Sequence, residues 1–340
     1  MSHVLVIGGG FAGCTIAKEL SANGVFVTIV ETAGGIGGKV RGYGCKATDV
    51  CNNCGVCLAA GLWDKVERDS NIEILKKTRL IDLSGGKGDF TAVIKEGGSV
   101  RHITGISDVV VSTGFEPTSV ESFNGFVELD GTDRVITGSE LERIFKGRGP
   151  VGPAAGGVLF EKPPESVCFV QCYGSRDCKE NSIYCSKVCC AYSTRAAKVI
   201  KHYYPECRIV FYYMELQMVS AGNYFQELKD LGVEFIKCRP VAVGGAGGTV
   251  TFDNPESGRR EDMRFDLIVL SDGIHPTEDS DRLAEICGLS IDAAGFLKYT
   301  TGPSEARDSG VFLAGCAGGP KKIEEAYSEA AIAAGEILSA

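Results

Sequence analysis

Cysteine is the residue type in this sequence that points most directly to chemistry, because 15 of the 340 residues are cysteine and most of them are grouped. Two short segments each supply four thiols: Cys45, Cys51, Cys54 and Cys57 in the first, and Cys172, Cys185, Cys189 and Cys190 in the second. Four soft sulfur ligands in one short segment suit an iron–sulfur cluster or a zinc ion. Cysteines that only fill a core would be scattered along the chain.

The second group has the spacing Cys-x12-Cys-x3-Cys-Cys. Two adjacent cysteines can bind one cluster only if the backbone turns sharply or a helix begins there, so we predict such a start at Cys189. The four thiols predict a 4Fe-4S cluster, with zinc as the alternative. Cys178 falls between the ligands and is predicted to be a loop thiol.

The first group leaves three interpretations open. Its Cys-x2-Cys-x2-Cys run is like the core of a ferredoxin site, but the Cys-Pro that completes such a site is absent. The group could hold a second cluster, could be a zinc or empty site, or could contain a redox-active dithiol formed by Cys54 and Cys57.

A glycine-rich turn near the start of the sequence predicts a different kind of site. Gly8, Gly10 and Gly13 follow a short apolar segment and open an amphipathic one, and Glu31 ends the next apolar segment. This order is typical of a dinucleotide-binding strand–turn–helix–strand unit. The glycines would allow a tight turn, close approach to a pyrophosphate and helix–strand packing, while Glu31 would bind a ribose.

The order of the predicted strands and helices that must position these residues indicates an α/β fold. It has two Rossmann-like dinucleotide-binding domains, the second inserted into the first. The first domain is predicted over residues 1–146 and 275–340 and the second over 166–274, with a Gly- and Pro-rich linker at 147–165. Helices are predicted at 189–203 and 323–338. The pair Thr137 and Glu140 has the spacing of a capping box at a helix start.

The turn that follows the first predicted strand of the inserted domain, at 172–176, contains one glycine where a phosphate-binding turn would use three. Direct binding of NAD(P)H by that domain is therefore not expected.

Several further segments carry a resemblance to known flavoproteins. The glycine-rich segment 34–39, the run Ser112-Thr113-Gly114 and the segment 310–316 together resemble the two-dinucleotide-domain flavoproteins related to thioredoxin reductase. The segments 171–177, 184–190 and 315–321 resemble the flavin-containing A subunit of heterodisulfide reductase. The absence of ferredoxin-type runs makes the sequence similar to the short, core-only form of that protein from complexes of sulfur metabolism.

The resemblance implies that FAD is bound in the first domain. The implied contacts come from Gly8, Gly10, Phe11, Ala12, Gly13, Glu31, Thr32, Gly38, Lys39, Val40, Leu80, Ser112, Thr113, Gly114, Gly315, Cys316, Lys321 and Ile323. Cys316 stands where the superfamily normally has the aspartate that holds the ribityl chain, so that contact is expected from the backbone or another side chain. Lys321 is expected either beside the flavin or as a solvated surface charge.

The function implied by the resemblance is that of an oxidoreductase subunit carrying FAD and a 4Fe-4S cluster, which transfers electrons for partner subunits and forms a homodimer. Two alternatives remain open. One is a self-contained NAD(P)H-dependent flavin disulfide reductase that uses a Cys-x2-Cys dithiol, and the other is a zinc-stabilised scaffold that binds FAD.

Composition excludes several other classes of protein. The formal net charge is -9 and no basic block occurs, which disfavours a nucleic-acid partner. The sequence has no apolar run long enough to suggest membrane insertion. The first residues lead directly into a predicted strand and do not have the pattern of a signal peptide. We therefore expect a cytoplasmic location.

Overall fold

The chain divides into two compact units in the computed structural model. The model describes residues 2–119, 126–128, 134–146, 160, 162–178, 182–217, 224–244, 247–302 and 305–339. Unit 1 comprises Met1–Arg41, Gly55–Glu116 and His275–Ala340, and unit 2 comprises Gly42–Cys54 and Pro117–Ile274. Of the linker expected at 147–165, only 160 and 162–165 lie among the described residues. The segments 42–54 and 117–146, which we assigned to the first domain, fall in unit 2.

Unit 1 is built on a parallel sheet flanked by helices. Its strands, numbered in chain order, lie side by side as β21 (Val311–Leu313), β7 (Asp108–Val111), β1 (His3–Ile7), β2 (Phe26–Glu31) and β3 (Ile72–Lys76). Its helices are α1 (Phe11–Ala22), α2 (Leu62–Arg68), α6 (Ser280–Cys287), α7 (Glu305–Ser309) and α8 (Ile323–Leu338). Together with the parallel sheet of unit 2 described below, this confirms the predicted α/β class.

Both faces of this sheet are covered, as its sequence requires. Along β1, Val4 and Val6 belong to one buried cluster, which contains residues of α1 and α8, while Leu5 and Ile7 belong to another. A parallel strand buried on both faces has a continuous apolar run instead of alternation. The apolar run at 3–7 is therefore a direct consequence of the position of β1 at the centre of the sheet.

Unit 1 also contains two antiparallel sheets that we did not predict. The larger is a three-stranded meander of β4 (Thr78–Gly86), β5 (Asp89–Glu96) and β6 (Ser99–Ile106). The smaller pairs β19 (Ser290–Ile291) with β20 (Leu297–Lys298). The register between β4 and β5 slips between Leu80 and Asp82, which is the signature of a β-bulge.

Unit 2 repeats the parallel arrangement. Its strands lie in the order β10 (Val135–Thr137), β17 (Leu267–Asp272), β11 (Ser166–Tyr173), β12 (Arg208–Tyr212) and β13 (Glu234–Ile236). Its helices are α3 (Gly138–Lys146), α4 (Cys189–Tyr203) and α5 (Tyr224–Asp230). A second sheet has the order β16 (Arg260–Arg264), β15 (Thr249–Asp253), β14 (Ala242–Gly244) and β9 (Val127–Glu128). The chain passes between the units at two short strands, β8 (Glu116–Pro117) and β18 (Ile274–His275).

Several predicted local features are confirmed. Helices α4 and α8 have the bounds expected from the sequence. At the start of α3 the Thr137 amide donates to the Glu140 carboxylate at 2.7 Å, and the Glu140 amide donates to the Thr137 hydroxyl at 3.1 Å. This reciprocal pair is a capping box. In the part of the chain that the structure describes, no helix is both long and apolar enough to span a membrane.

Buried polar contacts attach residues 42–54 to the helices of unit 2. Lys46 and Glu142 form a buried ion pair, and the Asn52 side-chain Nδ2 donates to the Lys46 carbonyl at 2.6 Å. The buried Arg195 guanidinium of α4 donates to the carbonyls of Asn52 at 2.8 Å and Asn53 at 2.7 Å. Charged groups are rarely buried unless they are paired. These contacts therefore hold the segment that carries Cys45, Cys51 and Cys54 in one geometry.

Replacing Lys46 by methionine should lower the free energy of unfolding by about 3–5 kcal/mol, because Glu142 would remain buried without its cation. Urea denaturation followed by circular dichroism measures the change. The control is Lys18→Met, which removes a half-exposed pair with Glu19 and should cost less than about 1 kcal/mol. Equal effects of the two substitutions would mean that the buried pair contributes no more than a surface pair.

Candidate functional site

The glycine turn between β1 and α1 has a distinct structural reason for each of its three glycines. Gly8 has a φ of +99°, which favours glycine, and a Cβ there would lie 2.6 Å from the Ser112 carbonyl oxygen. A Cβ at Gly13 would lie 2.1 Å from the Gly8 carbonyl oxygen. Gly10 has a φ of -74°, and a Cβ there would meet no protein atom within 4 Å. The fold therefore requires Gly8 and Gly13, whereas it leaves space at Gly10.

A cleft opens beside this turn. Five residues that the resemblance assigned to FAD line it: Gly8, Glu31, Thr32, Leu80 and Thr113. Glu31 is oriented by the amides of Gly9 and Ala33, each donating at 2.7 Å. The Thr113 hydroxyl is buried and has no hydrogen-bond partner among the described residues. Such a hydroxyl costs free energy unless a ligand or water satisfies it.

The cleft fits a dinucleotide on these observations. The first N–H groups of α1 have no partner within the helix and suit phosphate oxygens. Glu31 keeps lone pairs for ribose hydroxyls, and Thr113 provides an unused polar group. The open space at Gly10 allows a pyrophosphate to approach the backbone.

The cleft also includes residues that sequence reasoning missed, above all Arg79, Asp279 and Arg282. Arg282 Nη1 donates to the Leu80 carbonyl at 2.6 Å. Asp279 and Arg282 lie about 270 residues after the glycine turn and belong to no motif, so only the folded chain identifies them.

Other residues implied by the resemblance surround the turn. The Gly37 amide donates to the Gly9 carbonyl at 2.7 Å, which packs the second glycine-rich segment and Gly38 against Gly10. Ser112 donates to the Gly8 carbonyl at 2.9 Å, and Gly114 has a φ of +79°. Lys39 pairs with Glu116 at 2.9 Å. Four of the implied residues, Phe11, Ala12, Val40 and Ile323, belong to the core of unit 1 or pack against it.

The turn after β21 meets the start of α1. A Cβ at Gly315 would lie 2.9 Å from the Ala12 Cβ, so only a glycine fits this contact. The Cys316 thiol contacts the Lys321 carbonyl at 3.6 Å, and burial raises the pKa of Cys316. Lys321 donates to the Gly315 carbonyl at 3.0 Å and lies 3.4 Å from Glu329. The Lys321 ammonium is therefore hydrogen-bonded to the backbone and paired with a carboxylate, instead of being a solvated surface charge.

In unit 2 the end of β11 and the start of α4 bring three thiols together. Cys189 lies close to Cys172 and Cys190, and the interaction with these two thiols raises the pKa of Cys189 well above its usual value. The same interaction lowers the pKa of Cys172 and lowers that of Cys190 to about 7, with a further contribution from the Arg176 guanidinium. Thiolates are the metal-binding form of cysteine. The lowered pKa values of Cys172 and Cys190 therefore favour the form that binds a metal.

Cys185 is positioned by its two neighbours in sequence. The Ile274 amide donates to the Ser186 hydroxyl at 2.9 Å, and the Tyr184 hydroxyl donates to the Ile274 carbonyl at 3.0 Å. The Cys185 sulfur accepts the Lys187 amide at 3.3 Å. Hydrogen bonds from backbone amides to sulfur are among the features that tune iron–sulfur clusters. Cys178, by contrast, is exposed.

Arg176 provides a positive charge beside the thiols. Its Nη1 is buried without a hydrogen-bond partner among the described residues. Non-glycine residues with a left-handed backbone are also concentrated here, at Cys172, Arg176 and Lys187. Such strain is typical of functional sites. The donor set, the partly buried Arg176 cation and the backbone turns fit an anionic thiolate cluster.

The structure does not arrange either cysteine group as a formed metal site within the described residues. Among the described residues, no group of three or more His, Cys, Asp or Glu side chains is arranged to hold a metal ion. In the first cysteine group, Cys45, Cys51 and Cys54 belong to unit 2, whereas Cys57 belongs to unit 1. The sulfur of Cys45 accepts the Ala47 amide and that of Cys51 the Asn53 amide, each at 3.4 Å.

Comparison with known proteins begins with the first part of the chain. Residues 2–146 match the family "Pyridine nucleotide-disulphide oxidoreductase". Among solved structures, thioredoxin reductase from T. acidophilum superposes with a TM-score of 0.61 and 18% identity, covering 100% of this chain and 99% of the other. This likeness confirms the predicted thioredoxin-reductase-like fold.

Sequence relatives extend over nearly the whole chain. The A subunit of a CoB-CoM heterodisulfide reductase from Methanosarcina acetivorans is 27% identical over 99% of this chain and 53% of its own length. An iron-sulfur A subunit of CoB-CoM heterodisulfide reductase from Methanopyrus kandleri is also 27% identical, over 99% of this chain and 64% of its own length. The chain is a relative of these heterodisulfide reductase A subunits. The predicted resemblance is thereby confirmed, although the chain spans only about half to two thirds of the relatives' length.

The open space at Gly10 predicts the outcome of a substitution. We expect Gly10→Val to prevent FAD binding because the side chain would fill the space of the pyrophosphate, while the apo fold remains intact. The absorbance ratio of flavin to protein and the circular dichroism spectrum measure the two effects. Gly98→Val is the control, because a Cβ at Gly98 also meets no protein atom and lies outside the glycine turn. A stoichiometric flavin content in Gly10→Val would contradict the assignment.

Proposed function

We propose that the protein is an electron-transfer subunit that binds FAD in the cleft of unit 1 and a 4Fe-4S cluster at the thiols of unit 2. We further propose that it works with other subunits of a heterodisulfide reductase-like complex in sulfur metabolism. The observation that carries the proposal is the closeness of Cys172, Cys189 and Cys190 to one another and to Arg176, in a chain whose other unit has a cleft beside a glycine turn.

Glu31, Thr113 and the start of α1 each have a defined task in this proposal. Glu31 would hold the ribose hydroxyls, the start of α1 would bind the pyrophosphate, and Thr113 would donate its unused hydroxyl to the cofactor. Gly315 permits the turn after β21 to approach that helix start. Helix α8 begins two residues after Lys321, and Glu324 and Glu325 lie in its first turn.

In this proposal the thiols of unit 2 are the cluster ligands. Cys172, Cys185, Cys189 and Cys190 would bind the cluster, and Arg176 would offset part of its negative charge. When bound, FAD can exchange two electrons and a 4Fe-4S cluster one, so the pair can connect a two-electron couple to single-electron carriers. The names of the heterodisulfide reductase relatives suggest a thiol–disulfide couple handled by partner subunits.

A self-contained NAD(P)H-dependent disulfide reductase is the second candidate, because the match of residues 2–146 is to the pyridine nucleotide-disulphide oxidoreductases. The turn after β11 argues against it. Helix α1 begins after residues 8–10, whereas the helix that follows β11 begins only after residues 174–188, and its first residues are Cys189 and Cys190. That helix start therefore lacks the short glycine turn that would bring a second dinucleotide to it.

Iron and acid-labile sulfide analysis of anaerobically purified protein, together with its visible spectrum, distinguishes the candidates. The proposal predicts FAD with about four iron and four sulfide per chain. FAD without iron supports the self-contained reductase, and zinc in place of iron supports a zinc-stabilised scaffold.

Replacing Cys185 by serine should remove the cluster and leave FAD bound, because the cleft of unit 1 and the thiols of unit 2 use different segments. Electron paramagnetic resonance of the reduced protein and flavin absorbance measure the two groups separately. Cys178→Ser is the matched control and should retain the full signal, since Cys178 is an exposed loop thiol. Retention of the full signal in Cys185→Ser would disprove the ligand assignment.

The flavin should be reduced readily by dithionite but at least about 100-fold more slowly by NADH or NADPH. Hydride transfer depends on close positioning, and a misplacement of about 1 Å already costs on the order of 100-fold in rate. Anaerobic stopped-flow absorbance of one sample with each reductant makes the comparison. Rapid bleaching by either nicotinamide would favour the self-contained reductase.

A further inference from the structure

One turn of unit 2 carries a buried hydroxyl group that forms no hydrogen bond with the described part of the chain. Ser175 is fully buried, and its Oγ has no hydrogen-bond partner among the described residues. Its amide donates to the Cys172 carbonyl at 3.2 Å, which closes a turn between the two residues. The hydroxyl is therefore held close to a thiol that the proposed cluster uses.

Other buried serines of unit 2 have hydrogen-bond partners. Ser193 and Ser271 are also fully buried, and their hydroxyl oxygens lie 2.9 Å apart. The Ser186 hydroxyl accepts the Ile274 amide at 2.9 Å. A buried hydroxyl without a partner destabilises the fold by about as much as a lost hydrogen bond. The different state of Ser175 therefore points to a ligand that uses its hydroxyl.

The turn is held in one geometry by contacts on both sides. Gly174 has a φ of +78°, and a Cβ there would overlap the Thr118 hydroxyl, so the turn packs closely against that side chain. The Arg176 amide donates to the Tyr184 carbonyl at 3.0 Å, and Cys185 is the next residue. The turn that follows one proposed ligand is thus bonded to the segment that carries another.

Arg176 adds a second unused donor to the same turn. Its Nη2 lies 3.6 Å from the Glu215 carboxylate, while its Nη1 is buried without a partner among the described residues. The Glu215 carbonyl lies 3.9 Å from the Cys190 sulfur, so the guanidinium and this thiol meet at the same residue. Hydroxyl and guanidinium groups both donate hydrogen bonds. Two unused donors beside the thiols suit an anionic acceptor, such as a thiolate-bound cluster.

We propose that the Ser175 hydroxyl donates a hydrogen bond to a sulfur atom of the cluster and thereby raises its reduction potential; the inference rests on the proposed 4Fe-4S cluster. Reduction adds one electron from the reductant and makes the sulfur atoms more negative. The hydrogen bond is therefore stronger to the reduced form, which it favours. No proton is transferred and no covalent bond forms or breaks in this step.

Potentiometric titration of the anaerobically purified full-length protein with dithionite, followed by electron paramagnetic resonance, tests the proposal. Ser175→Ala should retain the iron and sulfide of the unsubstituted protein. It should lower the equilibrium constant of one-electron reduction about tenfold, the effect of one charge-assisted hydrogen bond. This loss corresponds to a decrease of about 59 mV in the reduction potential.

Ser193→Ala is the matched control. It removes an equally buried hydroxyl from the first turns of α4, but that hydroxyl already pairs with Ser271. We expect the control to change the equilibrium constant of reduction by less than about twofold.

A second measurement separates a direct hydrogen bond from a general structural role. After exchange into D2O, pulsed electron–nuclear double resonance of the reduced cluster detects deuterons in hydrogen bonds to its sulfur atoms. Ser175→Ala should remove one such signal, and Ser193→Ala should remove none. If Ser175→Ala does not assemble the cluster, Ser175→Gly also removes the hydroxyl and should produce the same two changes.

An unchanged potential in a Ser175 variant that holds the cluster would overturn the role of the hydroxyl, and so would a shift equal to that of the control. A lower cluster content with an unchanged potential would assign Ser175 a structural role and would also overturn the proposal. Absence of iron and sulfide from the unsubstituted protein would overturn the proposed function instead.

Discussion

The distance along the chain between the central strand of each parallel sheet and the next helix determines what each unit can bind. In unit 1 the close contact of Gly13 with the Gly8 carbonyl allows α1 to begin directly after β1, with its free N–H groups beside an open cleft. In unit 2 the helix after β11 begins only after residues 174–188, and cysteines occupy its first turn. One architecture therefore supplies a short glycine turn in one unit and a cysteine-bearing loop in the other.

The features predicted correctly from the sequence were those determined by short-range patterns. The apolar run of β1, the capping box of Thr137 and Glu140, and the bounds of α4 each depend on neighbouring residues alone. The parallel sheets also followed, because strands buried on both faces have continuous apolar runs. The antiparallel sheets were missed because β6 and β16 are largely exposed and have no strong apolar pattern.

Features that depend on long-range contacts could not be predicted. Residues 117–146 belong to unit 2 because β10 pairs with β17, more than a hundred residues later, and no local signal records that pairing. Residues 42–54 belong there because Arg195 and Glu142 bind them through buried charges. The wall of the cleft that contains the glycine turn could be identified from the sequence. The wall that contains Arg282 and Asp279 could be identified only from the folded structure. The spacing of the cysteines indicated which thiols could lie close together. It did not indicate that Arg176 would place a positive charge beside them.

The backbone of Cys172 has an evolutionary consequence. With a φ of +62°, this non-glycine residue occupies a conformation that costs roughly 1–2 kcal/mol relative to glycine. Glycine at this position would relieve that strain, so the chain maintains a sulfur atom there against its own stability. Selection for stability and selection for the thiol oppose each other at Cys172. A descendant that no longer needed the sulfur would be expected to drift to glycine at this residue early, before losing cysteines that lie in relaxed helix or loop geometry.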